Sequence, residues 1–119
     1  MAAVYDGWTI DEGSFWAATV RWPGVSDATG WLARMDIRQA REKTSTLILA
    51  LTIANDRLAV SSNDGYLVIS ISVPASATKG LAFNGVGHYD LELIPPTGED
   101  AAFRALQGTI RYNKEVTAA

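Results

Sequence analysis

His88, Asp90 and Glu92 are the residues whose spacing comes nearest to chemistry. They alternate with Tyr89, Leu91 and Leu93 in the stretch HYDLEL. That period-2 pattern marks a strand with one wet and one buried face, and it sets the two carboxylates side by side. Such a pair suits acid/base or metal work, although a solvated strand face explains it equally. His88 is the only histidine. No Ser/His/Asp arrangement can therefore be nominated, and Gly-x-Ser-x-Gly is absent. With no cysteine and one histidine, the chain lacks a zinc ligand set. Asp56, Asn63 and Asp64 could gather at one end and hold calcium, or simply be turn residues. Asn84-Gly85-Val86-Gly87 leads into a strand and not a helix, so it is no phosphate loop. The expectation is a protein without catalytic residues, cofactor or metal, and not an enzyme.

Aromatic residues carry the other signal. Four Trp and four Tyr are many for 119 residues. Phe15, Ala17 and Thr19 share one face of a strand, and Trp16, Ala18, Val20 and Trp22 share the other. One of these faces is predicted to lack an internal partner. Trp and Tyr dominate interface hot spots because they bury a large area with few torsions and keep a polar handle.

The elements that must position these residues follow from alternation. Trp8–Asp11, Phe15–Trp22, Trp31–Arg38, Leu47–Ile53, Leu58–Val60, Tyr66–Val73, Tyr89–Leu93 and Arg104–Tyr112 read as strands. Pro23–Gly30, the charged RQAREKT of residues 38–44, Asn55-Asp56 and Ser61–Gly65 read as loops or turns. Gly108 interrupts the last strand where a bulge or a close backbone approach would sit. The Leu47–Ile53 and Leu67–Val73 faces are the expected core. Burial of one large apolar side chain is worth roughly 1.5–3 kcal/mol, and a one-residue slip would expose them all. Pro74 and the small residues after it predict a short helix, capped by Ser72. The fold class is thus an all-β, antiparallel, Ig-like β-sandwich of about eight strands, with one short helix near 74–81.

Composition bounds the partners. Hydrophobic residues make up 48% and charged residues 19%, with net charge −3. One folded domain spanning 1–119 is expected. The absence of a Lys/Arg block argues against nucleic acid. No apolar run approaches the roughly 20 residues of a membrane span, and the N-terminus does not read as a signal peptide. A protein made in the cytoplasm without export is expected.

Several segments together carry a resemblance. They are Ile10–Phe15, Thr29-Gly30-Trp31-Leu32-Ala33-Arg34-Met35-Asp36-Ile37-Arg38, Ser72–Thr78, Tyr89-Asp90-Leu91-Glu92-Leu93 with Gly98, Gly108-Thr109-Ile110 and Val116-Thr117. In order and spacing they resemble small virion proteins of tailed bacteriophages. These include the amino-terminal domain of upper baseplate proteins and related neck, tail and fibre-adaptor proteins. The resemblance implies a non-enzymatic virion structural protein that works through protein–protein contacts with other virion proteins, in a homo-oligomeric ring. It implies short arms at 1–6 and 113–119. Tyr5, Trp8, Phe15, Trp16, Trp22, Asn113, Glu115 and Val116 are then the candidate interface. A soluble β-sandwich module for carbohydrate or peptide, using Trp16, Trp22 or Trp31, is the alternative.

Overall fold

The computed structural model describes residues 2–83 and 85–114. Nine strands are present among them: β1 (Ala3–Val4), β2 (Trp8–Asp11), β3 (Trp16–Pro23), β4 (Leu32–Arg38), β5 (Leu47–Thr52), β6 (Leu58–Asn63), β7 (Tyr66–Val73), β8 (Val86–Ile94) and β9 (Phe103–Asn113). One sheet has the order β1-β9-β8-β4-β5, with β2 also on β9; the other is β3-β7-β6. The two pack face to face as an all-β, Ig-like sandwich. β3, β7 and β6 of the smaller sheet face β9, β8, β4 and β5 of the larger one, a strand order like that of immunoglobulin sandwiches. One contact departs from the antiparallel expectation. β1 and β2 run parallel to β9, with Ala3 opposite Leu106 and Trp8 opposite Ile110.

Alternation builds the core. Met35 and Ile37 of β4, Leu51 of β5 and Leu91 and Leu93 of β8 meet Leu67, Ile69, Ile71 and Val73 of β7, all buried. The tight β6–β7 hairpin fixes the register opposite them. Asp64 and Gly65 alone make its turn, both at positive φ (52° and 79°), which is the two-residue turn that matches strand twist.

Three expectations are corrected. Leu47 does not join the core; it is 44% exposed. Ile37 pairs with Leu49 but Arg38 with Leu47, so Ile48 is an extra residue. Such a bulge turns the strand beyond it over. The short helix expected near 74–81 is present as a single 3-10 turn over Ala75–Ala77, but Ser72 does not cap it: Pro74 is the N-cap, with no side-chain cap hydrogen bond. A helix repays its nucleation only by propagating, and here propagation stops at once. The Thr78 hydroxyl donates to Ser14 O at 2.9 Å or to Ala75 O at 3.0 Å, and Gly80 takes φ 61°. The supposed N-terminal arm is also part of the body, because β1 is a strand of the sheet. It makes nine strands of the expected eight or so. Of the 113–119 arm, Asn113 ends β9 opposite Asp11, and residues 115–119 lie outside the described residues.

Gly108 is where the N-terminal segment crosses β9. A Cβ there would fall on the Tyr5 carbonyl oxygen and 2.7 Å from Asp6 Oδ1. The expected close approach is therefore present. The bulge sits instead at Ala105, between Leu91–Leu106 and Glu92–Arg104 pairing.

Candidate functional site

Two surfaces emerge from these elements. The first is the seam between the sheets. β1 and β2 are separated by Tyr5–Gly7, where the backbone ladder cannot continue past Gly108. The Asp6 carboxylate fills the gap by accepting Thr109 N–H at 2.9 Å. Tyr5 N–H donates to Gln107 O at 2.9 Å, and Tyr89 donates its hydroxyl to Tyr5 O at 2.7 Å. Trp8 then bridges the layers. Its ring lies 5.8 Å from Trp16 on β3, 5.0 Å from Tyr89 on β8 and 5.2 Å from Tyr5. A second aromatic group at the opposite end joins Trp22 to Phe103 (5.2 Å) and Phe103 to Trp31 (6.5 Å). Pairs of this geometry add about 0.5–1.5 kcal/mol beyond their burial.

The aromatic surplus is thus consumed inside. Trp16 is buried and cannot be an interface residue, and Trp8 and Trp22 are half-buried and packed on the core. Phe15, just before β3, is left outside, 64% exposed, with Tyr5 at 45%. Asn113 is exposed and holds Asp11 Oδ1 at 3.0 Å. Glu115 and Val116 lie outside the described residues. Trp16 is likewise closed to sugar stacking, while Trp22 and Trp31 are half-buried against Phe103.

Buried hydroxyls make the seam sensitive to alkali. Burial pushes the Tyr89 hydroxyl far above the ordinary tyrosine range, with Asp6, Tyr5 and Asp90 adding to it. Burial also raises Tyr112, whose hydroxyl donates to Thr78 O at 2.6 Å. A pKa raised by folding leaves stability intact below the unfolded value, about 10 for tyrosine, and removes it as pH rises towards the folded value. Stability is expected to fall steeply above pH ~10. Circular dichroism with tyrosine difference spectroscopy checks this: these two rings should ionise together with unfolding. Ionisation of both in a still-folded chain would contradict it.

The second surface is the outer face of the larger sheet. His88, Asp90 and Glu92 do share it, as the alternation implies, but no poised carboxylate pair results. Asp90 lies 3.2 Å from Arg104 Nε, and Glu92 lies 3.2 Å from Arg34 Nε. Arg34 also reaches Glu99 at 3.0 Å, and Arg38 is 3.5 Å from Asp36. These pairs are largely solvent-exposed, and such pairs contribute only about 0–1 kcal/mol each. The face is free to serve something other than stability. Among the strands lies a cavity of about 280 Å³ whose lining includes Arg34, Arg38, Arg41, Lys43, His88 and Arg104.

The β4–β5 loop overhangs this cavity and is held in shape by Ser45. Its hydroxyl lies 2.9 Å from Ala40 O and 2.6 Å from Glu42 O, and its carbonyl accepts Arg38 Nη1 at 2.8 Å. Sequence reasoning reads residues 38–44 only as an exposed loop; its run of charge is the signal for a site. The calcium arrangement does not form. Asp56 precedes β6 and Asp64 follows it, and a six-residue strand keeps such ends roughly 20 Å apart. Among the described residues, no group of three or more His, Cys, Asp or Glu is placed to hold a metal ion.

No protein-family model and no curated protein matches the chain. Among solved structures, it is similar to the NK cell receptor Nkp44, a triggering partner in natural cytotoxicity. That likeness has a TM-score of 0.43 and 7% identity over 95% of this chain and 99% of that one. It is also similar to a structure from work on multimeric cell-adhesive interactions of VGSC beta subunits. There the TM-score is 0.38 and the identity 13% over 98% and 93% of the two chains. The sandwich assignment above stands on the chain's own strand order.

Proposed function

We propose that this chain is a non-enzymatic contact domain, working as a tail, baseplate, neck or fibre-adaptor component of a tailed-phage particle. The observation that carries the contact role is the outer sheet face. Its exposed charged groups add little stability, yet an ordered loop and three strands arrange them around one cavity. The carboxylates with the best catalytic spacing are bracketed by guanidinium groups, which favours binding over turnover. The particle role is supported by the resemblance of TGWLARMDIR and YDLEL, with their flanking segments, to small phage virion proteins. Within such a particle the chain sits beside other copies of itself and other virion proteins. Among the described residues β3, β5 and β6 end their sheets, and such edges suit strand addition.

Mass spectrometry of purified particles from the phage that encodes the chain tests this reading. The chain is expected at a stoichiometry of several copies per particle, retained through density-gradient purification. Its absence from particles that are complete and infectious would overturn the virion role.

A further inference from the structure

We propose that the 280 Å³ cavity on the outer sheet face receives a carboxylate side chain from an acidic segment of a partner protein. The proposal rests on the contact-domain reading and names the chemistry of what is contacted. Charge distribution is the first argument. Of the chain's ten Lys and Arg, five line this cavity; of its thirteen Asp and Glu, only Asp36, Asp90 and Glu92 do. Glu99 adds one acid near the rim, through Arg34. A chain of net charge −3 thus keeps a positive hollow in a surface that is elsewhere acidic. A concave site of one sign focuses its field on an approaching counter-charge.

Unused donors are the second argument. Arg41 and Lys43 have no hydrogen bond or ion pair among the described residues, although the Ser45-braced loop holds them at the cavity. His88 also lines it, and its Nδ1 is buried with no hydrogen-bond partner. A buried polar atom left this way is rare. A guanidinium and an ammonium group lining one cavity match a carboxylate.

Size and surroundings select the occupant. The volume is just under the ~300 Å³ at which small-molecule sites begin, so one side chain fits. A phosphate backbone needs an extended positive track, and a single hollow does not supply one. A peptide strand lying across β4, β8 and β9 can place one Asp or Glu in the hollow.

The test uses the full chain and a fluorescein-labelled hexaglutamate peptide, read by anisotropy at low ionic strength. Binding is expected, and it should weaken as added salt shortens the Debye length below ~10 Å. The double variant Arg41→Glu/Lys43→Glu should lose affinity by about tenfold or more. Lys79→Glu/Lys114→Glu, which changes net charge equally at exposed sites away from the cavity, should lose less than about threefold. No binding by the wild-type chain, or equal losses in the two variants, would overturn the site. Inorganic phosphate displacing the peptide at concentrations where acetate does not would overturn the carboxylate assignment. Failed peptide binding by a chain still found in particles sinks the cavity proposal alone. A chain absent from particles that still binds the peptide sinks the virion role alone.

Discussion

Replacing Gly108 with alanine is expected to lower stability by about 3 kcal/mol and to release the N-terminal strand from β9. The glycine has an ordinary backbone conformation, so strain in φ is not the reason. The reason is distance. An added methyl group would coincide with the Tyr5 carbonyl oxygen and press on Asp6 Oδ1, and a backbone oxygen cannot swing aside as a side chain can. Tyr5–Gly7 must lift, which removes the Tyr89–Tyr5 and Thr109–Asp6 hydrogen bonds together. For a chain this long the loss corresponds to a melting point lower by roughly 10 °C. A coupled measurement isolates the cause. In a chain lacking residues 1–7, the same substitution should cost less than about 1 kcal/mol, because the clashing oxygen is gone. A full cost in the truncated chain would place the effect within β9 itself.

Trp16→Ala is expected to cost about 3–5 kcal/mol, whereas Phe15→Ala should stay within about 0.5 kcal/mol. Adjacent aromatic residues, one just before β3 and one on it, thus differ by a large fraction of the stability margin of a small domain. Trp16 is 7% exposed and meets Trp8 across the seam, while Phe15 is 64% exposed. Denaturant titration of the two variants measures the difference directly. Comparable costs would mean that β3 presents its other face to the core.

The contrast between these two residues also marks how far sequence reasoning reaches. The β7 face of Leu67, Ile69, Ile71 and Val73 is legible because only one set of alternating positions is large and apolar. The stretch Phe15–Trp22 carries aromatics on both sets, so alternation separates the faces without saying which is inside. Burial of Trp16 depends on Trp8, a residue of the other sheet, and no local pattern encodes that contact. The parallel docking of Ala3–Val4 is equally hidden, because a two-residue strand has no period. Gly108 does give a local signal, an interruption of an apolar face, but not the identity of what approaches it. The His88–Glu92 face is legible as a solvated surface. Its cavity is not, since it needs Arg104 from β9 and a loop whose shape comes from Ser45.

Zero-length amine–carboxylate cross-linking of intact purified particles, followed by mass spectrometry, tests most directly that this domain acts by contacting other proteins through its charged face. The prediction is that Lys43 is joined to an Asp or Glu of another polypeptide in the particle, far more often than Lys79 is. Particles that lack the chain, or that hold it with Lys43 joined only within its own polypeptide, would contradict the account.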